Sequence, residues 1–461
     1  MSRRVHILGG GPAGLAAGYF AHDAGLDVRL FEANDAVGGN ARTIVRDGFS
    51  FDTGAHRFHA KDPFVTDLVQ RLIGDDLLEV DAPSAIYDDG KLIDFPLRVD
   101  DLLRHSGPLL PFAYLWGFLK ARIRPLPAEP SFEDLSRRRF GDRLAERYLL
   151  NYSRKLWGWP TDNLSPSISG GRLRGLHLAH AIRRTMRMRS HDRRDIDGRF
   201  LYPRRGIGMI SDALAAALPS GSIQLGSRVT RIHHDGGRIR SIEINGGRAV
   251  AVESVIGTLP LTLMLRLLHP APPEEISELV DALAFRSIRL LMIGLDRPRL
   301  TPHASIYFPD EAIRFTRLYE SSNRSRAMAP AGQSAIALEL PCSRGDEGDV
   351  LSDEDLMAEG LRLLELFGVT AGEVRHLSTL RLPNAYPILR RGIERSVSAG
   401  LDYLDGFTNL HLLGRTQLFR YSHLHDHIRD AERLVGQLAN LLHTSVDTGV
   451  ITLSEPMRDA A

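Results

Sequence analysis

Gly9, Gly11 and Gly14 stand in the stretch LGGGPAGLAAG as G-x-G-x-x-G, with Pro12 and Ala13 filling the last gap. Glycines at that spacing can cradle a pyrophosphate. The first makes a tight turn, the second lets the ligand approach the backbone, and the third lets the next helix pack closely. Glu32 follows at the distance where a carboxylate meets a ribose hydroxyl. A second glycine pair, Gly38-Gly39, runs on into Asn40-Ala41-Arg42-Thr43. His56 and His59 form another candidate pair, in FDTGAHRFHAKDPF from Phe51 to Phe64. Histidines three apart could ligate a metal or be satisfied polar groups. No third ligand stands nearby in sequence, so no metal is expected. No convincing Ser/His/Asp set or carboxylate pair is evident.

Elements must hold these residues in place. Val5 to Leu8 reads as a short buried strand, and the alanine-rich stretch after the glycines as a helix ending near Gly25. The N-terminus of that helix offers free N–H groups and positive dipole to phosphate. Leu26 to Phe31 reads as a second strand, closed by Glu32. Strand, glycines, helix, strand and acid in that order make a dinucleotide site, but the glycines alone do not choose the nucleotide. From about Ala82 to Asp197 the pattern is mixed, with helical and proline-rich segments. A glycine turn and amphipathic helix follow at Tyr202 to Leu218, and a β meander over Val229 to Ile256. Near the end, Asn409 to Leu442 reads as a buried strand, a turn at Gly414-Arg415 and a final helix, whose N-terminus could stabilise negative charge.

The continuation past Glu32 resembles FAD proteins related to the amine oxidases, protoporphyrinogen oxidases and UDP-galactopyranose mutases. Most amine-oxidase relatives carry Arg where this chain has Asn40, and GGNA is more similar to the mutases. The core GAH-x-FH (Gly54, Ala55, His56, Phe58, His59) resembles the bacterial mutase pattern, in which it lies against the flavin ring with His56 near its reactive edge. NYSRKLWGWP (Asn151 to Pro160), RFTRLYE (Arg314 to Glu320), NAYPI (Asn384 to Ile388) and GRTQLFRY (Gly414 to Tyr421) are similar to further mutase segments. The likeness spans Val5 to Leu442. It departs at His423 and Leu424, where bacterial mutases have Asp-Met.

This resemblance implies an α/β fold: a discontinuous Rossmann-like FAD-binding domain with an inserted mixed α+β substrate domain. The FAD-binding domain would take 1–81, 202–260 and 395–445, the substrate domain 82–201 and 261–394, and a frayed tail 446–461. FAD would be held by Gly9, Gly11, Pro12, Ala13, Gly14, Glu32, Gly39, Asn40, Ala41, Gly54, Ala55, His56, Gly414 and Arg415, with Val229 meeting the adenine side through its backbone. The implied substrate is a nucleotide-diphosphate sugar. Arg317 and Arg415 would pair with its phosphates, Tyr386 and Tyr421 donate to them, and Tyr152 or Trp157 stack on the base. Arg199 would clamp the diphosphate, although it fits the mutase spacing only with a one-residue gap before Pro203. His56, Arg317 and Arg199 are the expected catalytic set. The reaction would be pyranose/furanose isomerisation through an adduct on N5 of reduced flavin. A second reading is an oxidase, dehydrogenase or desaturase, because FDTGAHRFH and YPRRGIGM also resemble bacterial proteins of protoporphyrinogen-oxidase type. A third is flavin binding without turnover.

The bulk properties agree with a globular enzyme. The 461 residues are 43% hydrophobic and 25% charged, with a net charge of +1, so no general attraction to nucleic acid is expected. The single cysteine, Cys342, excludes an intramolecular disulfide. The N-terminus lacks the apolar core of a signal peptide, and a cytoplasmic protein is expected. The apolar stretch Ser106 to Leu119 is too short for a membrane span and reads as a buried helix or as a lip touching lipid. Six arginines between His180 and Asp195 read as a solvated helix face or flap, or as a lure for an anionic substrate.

Overall fold

The structure, a computed structural model, describes residues 4–95, 110–169 and 199–448. The first strand, Arg4–Leu8, is buried from Val5 onward and pairs in parallel with Asp27–Phe31 on one side and Ser254–Gly257 on the other. Leu410–Leu412 and Ile223–Gln224 extend this to a five-stranded parallel sheet. Three distant stretches of the chain therefore meet in one parallel sheet, the discontinuous Rossmann-like arrangement. Val5 and Ile7 face the helix Pro12–Asp23, and Ile428, Ala431 and Val435 of the long helix Leu424–Thr448 complete that apolar layer. That helix is described through Thr448, and the rest of the expected tail, 449–461, lies outside the described residues. On the sheet face turned away from the helix Pro12–Asp23, the meander Val229–His234, Ile239–Ile244 and Arg248–Ala251 pairs antiparallel, as the alternating sequence requires.

A seven-stranded sheet forms the second half. Its order runs Val374–Pro387, Phe285–Leu295, Ser334–Cys342, Arg317–Glu320, Ser305–Tyr307, Ser84–Asp88, Lys91–Phe95, antiparallel but for the pair Ser305–Tyr307 with Ser84–Asp88. The two sheets are stitched by the hairpin Thr43–Arg46/Phe49–Asp52. Asp47 and Gly48 turn it with φ of 49° and 82°, the positive values a two-residue turn between twisted strands needs. Phe49 and Phe51 then bury themselves against Ile288, Leu290 and Met292. Gly294 makes the fit possible, since a Cβ there would lie 2.6 Å from the Phe49 ring.

Of the apolar stretch Ser106 to Leu119, residues 106–109 lie outside the described residues; the rest opens the helix Leu110–Ile123. Tyr114, Phe118 and Ala121 are buried, while Trp116, Leu119 and Ile123 are exposed, so the helix is buried on one face only. Among the described residues no helix is long and apolar enough to cross a membrane. The arginine cluster His180 to Asp195 lies outside the described residues.

Candidate active site

Three glycine turns converge on the N-terminus of the helix Pro12–Asp23. Gly9 has φ of 107°, and a Cβ on it would stand 2.4 Å from Thr258 Oγ1. A Cβ on Gly14 would stand 2.0 Å from the Gly9 carbonyl oxygen, so strand and helix can approach only with glycine there. Gly39 packs on Gly11, and Gly414, with φ of 100°, packs on Ala13. The position at Gly11 is open, with no atom within 4 Å of a Cβ placed there, and no side chain caps the helix. The buried Glu32 carboxylate accepts the Gly10 N–H at 2.7 Å and the Asn34 N–H at 2.8 Å. The Gly226 and Ser227 N–H groups bond the Asn34 and Glu32 carbonyls, which brings the start of Val229–His234 beside the same carboxylate. Arg42 Nε is buried without a partner next to the Gly38 turn. An open notch at an uncapped helix N-terminus, an unpaired guanidinium nitrogen and a carboxylate at the strand end fit the pyrophosphate and ribose of a dinucleotide.

The segment carrying His56 is fastened from several sides. Asp52 is fully buried and accepts hydrogen bonds from the Tyr202 hydroxyl, from Thr43 Oγ1 at 2.7 Å and from the Ile207 N–H at 3.0 Å. Burial pushes its pKa upward, and these donors and Arg324 work against that. The Arg324 guanidinium is itself buried against the Tyr202 and Tyr319 rings, and its Nη1 donates to the His56 carbonyl at 2.8 Å. His56 Nε2 meets the Asn40 carbonyl at 2.8 Å, which assigns the proton to that nitrogen. Burial, aided by Arg415, Arg324 and Arg317, lowers the His56 pKa to about 4, so the ring is neutral at physiological pH.

Across from His56 lies a cluster drawn from the seven-stranded sheet, the helix Asn151–Trp157 and the turn after Leu410–Leu412. Arg317 and Glu339 are opposite each other on adjacent strands and form a two-pronged ion pair, Nε to Oε2 at 2.9 Å and Nη2 to Oε1 at 2.8 Å. Glu339 is 1% exposed, and its Oε1 also accepts the Ala55 N–H at 3.2 Å. Tyr307 lies under Arg317 at 6.0 Å, and Tyr152 meets Tyr307 edge-on at 5.7 Å. Arg415 lies 5.0 Å over the Tyr386 ring and donates to the Ala385 carbonyl at 2.8 Å. Tyr386 feels Glu339, Arg317, Arg415 and Tyr421 together, and burial keeps the Tyr152 and Tyr386 phenols protonated. Tyr421 packs edge-on to His423, which stacks on His425.

The structure thus gathers His56, Tyr152, Arg317, Tyr386, Arg415 and Tyr421. It does not bring in Arg199, whose exposed side chain pairs with Asp81 at 3.3 Å at the end of the strand pair Leu77–Asp81/Arg199–Pro203. Trp157 is 4% exposed and sits edge-on to Tyr386 within the core, so it supports the site rather than offering a free face to a base. Glu339, Arg324, Asp52, Tyr307 and Arg42 were not foreseen as site residues. Glu339 did leave a signal: a lone acid inside the apolar run SAIALELPC is a buried charge that needs a partner.

The sequence model of the flavin-containing amine oxidoreductases matches residues 12–404. The chain belongs to this family. Its cofactor is FAD, which the glycine turns and the orphaned Arg42 nitrogen fit. Among relatives of this amine oxidoreductase, protoporphyrinogen oxidase 1 of Arabidopsis thaliana chloroplasts is 26% identical over 338 residues, covering 67% of this chain and 59% of that one. The chain thus spans about three fifths of that relative's length. Coproporphyrinogen III oxidase of Propionibacterium freudenreichii is 25% identical over 421 residues, covering 79% of this chain and 77% of its own. Among solved structures, reduced UDP-galactopyranose mutase superposes with a TM-score of 0.83 at 21% identity, covering 96% of this chain and 97% of its own. Cyclohexylamine oxidase of Brevibacterium oxydans does so at 0.70 and 15% identity, covering 96% and 100%. At these identities the structural likenesses speak for the fold.

Proposed function

We propose that this flavoenzyme is an oxidoreductase acting on a small organic substrate held against Tyr152, Tyr307, Tyr386 and Tyr421. The observation that carries this reading is the Arg317–Glu339 pair. A guanidinium whose fork is filled by a buried carboxylate is not free to clamp a diphosphate, and pulling it away would strand Glu339 unpaired. The sequence relatives that cover most of the chain are porphyrinogen oxidases, which supports the same class. FAD, when bound, supplies the acceptor for the substrate's hydride.

The protein's own residues would bind and orient. Among the described residues Arg415 has no carboxylate partner, so it would meet a negative group on the substrate, with Tyr421 and Tyr386 beside it. A histidine with a pKa of about 4 takes up protons poorly at neutral pH. His56 would therefore fix the cofactor-facing segment through Asn40 rather than act as a general base. We assign the cofactor contacts to Gly9, Gly11, Gly14, Glu32, Gly39, Asn40, Gly54, Val229 and Gly414.

A second reading, isomerisation of a nucleotide sugar, is favoured by the placing of Arg415, Tyr386 and Tyr421 on one cluster and requires Arg317 to leave Glu339. One experiment separates the two. The oxidised holoprotein is mixed without oxygen with amines, alcohols and porphyrinogens while its flavin absorbance is followed. The dithionite-reduced protein is given UDP-, GDP- and TDP-sugars and the products are chromatographed. Bleaching by one of the former is expected. An isomerised sugar with no bleaching would overturn the oxidoreductase reading.

A further inference from the structure

The face of the parallel sheet turned away from the helix Pro12–Asp23 holds a cavity of about 210 Å³. Strand alternation sends Val5, Ile7, Val28 and Leu30 towards the helix side, and Arg4, His6, Arg29 and Phe31 into the cavity. Gln224 lines it from the edge strand, and Arg248 and Val250 from the meander. Three guanidiniums thus border one small space. Arg4 is neutralised by Asp27 at 2.5 Å. Arg29 donates to the Gly221 carbonyl at 3.2 Å, and among the described residues neither it nor Arg248 has a carboxylate partner. His6 is 2% exposed, stacks on Phe31 at 6.4 Å, and its Nδ1 has no hydrogen-bond partner. Buried polar atoms are nearly always paired, so an unpaired one in a cationic cavity points to an absent acceptor or donor.

We propose that this cavity is a second ligand site, distinct from the cofactor cradle, and that it takes a small phosphate monoester. Two guanidiniums without carboxylates match the charge of a phosphate dianion, and their forks match its oxygens. The cavity is smaller than the 300 Å³ or so at which pockets take drug-sized ligands, which limits the organic part to a fragment. Phe31 and Val250 give that part an apolar wall, and the Gln224 carboxamide can pair with a hydroxyl. Burial lowers the His6 pKa, and a hydrogen bond with the Ser254 backbone works against that. The charged groups facing it are Arg4, Asp27 and Glu253, with Arg29 opposite it on the next strand and Arg248 across the cavity. A bound dianion would favour the imidazolium, so His6 would take up a proton on binding at a pH where the ligand is already the dianion.

The test is calorimetric titration of the FAD-loaded protein with inorganic phosphate and with phenyl phosphate. One saturable site is expected, tighter for phenyl phosphate. Arg29→Ala and Arg248→Ala should each weaken it at least tenfold, with flavin absorbance and circular dichroism unchanged. Arg415→Ala should leave it intact. No saturable binding, or binding lost with Arg415→Ala but kept in the other two variants, would overturn the site. Equal affinity for both probes would overturn the organic part of the ligand. At pH 7, where phenyl phosphate is already mostly the dianion, its binding heats in buffers of different ionisation enthalpy should reveal proton uptake that His6→Gln removes. Equal heats in the wild-type protein would take His6 out of the site.

Discussion

Arg317 and Glu339 show how one pair can decide a reading. Arg317 stands in a stretch that resembles a phosphate-binding element, yet its fork is filled by a carboxylate on the neighbouring strand. Glu339→Gln leaves the guanidinium buried and uncompensated. Losing one partner of such a pair costs about 3–5 kcal/mol, so the urea midpoint should fall accordingly. The double change Arg317→Met, Glu339→Leu should recover most of that loss, and a double change as unstable as the single one would show that the pair is not the cause. A second prediction concerns protons. Burial lowers the pKa values of His56 and His411 to about 4 and of His427 to about 3. Each binds fewer protons folded than unfolded, where the value is about 6.5. Stability is therefore fully present above about pH 6.5 and declines as pH falls towards 4. A melting temperature followed from pH 8 to pH 5 should drop, and His427→Gln should flatten the drop; an unchanged slope would mean that His427 is not held neutral. The residues that escaped sequence reasoning share one property. Glu339 meets the Ala55 N–H and Arg324 the His56 carbonyl across 284 and 268 positions, so no local spacing marks either. Arg199 had the right residue type near the right turn, but only the strand pair to Asp81 shows that its side chain points to solvent.

At the scale of elements, close approach is what the glycines supply. The turn from the first strand into its helix works because Gly14 touches the Gly9 carbonyl; Gly14→Ala should give protein without flavin absorbance, and a yellow variant would show that the turn can yield. The hairpin Thr43–Arg46/Phe49–Asp52 depends likewise on Gly294, where a methyl would meet the Phe49 ring at 2.6 Å. Gly294→Ala should cost about 1–3 kcal/mol by overpacking, read from a denaturant midpoint at unchanged slope. Loss of flavin in that variant is expected too, because the hairpin ends in Asp52, which anchors the His56 segment. The first strand, the helix after it, the second strand and the meander are legible in sequence, since each declares itself within a dozen residues by glycine spacing or alternation. The order of the seven-stranded sheet is not. Its parallel contact between Ser84–Asp88 and Ser305–Tyr307 joins residues more than two hundred apart, and alternation says which residues face inward but not which strand is the neighbour.

For the whole molecule, the cofactor is the point where separated stretches meet. The strands Arg4–Leu8, Ser254–Gly257 and Leu410–Leu412 share one sheet, and each leads into a turn near the N-terminus of the first helix: Gly9, Thr258 and Gly414. A sequence shows that such glycine turns recur at great separation, but the reason they must coincide is the ligand they surround. FAD binding should then act as a clasp between the ends of the chain. A ligand bound only by the folded state stabilises it by RT ln(1 + [L]/Kd), about 4 kcal/mol when free FAD is a thousandfold above its dissociation constant. Protein stripped of FAD should melt at a lower temperature, recover as FAD is restored, and be cleaved sooner by protease around 223–260 and 409–421, where the outer strands join the sheet. If the melting temperature and the cleavage pattern were indifferent to FAD, the sheet would be held by its apolar layers alone. The three turns would then serve cofactor binding without serving the fold.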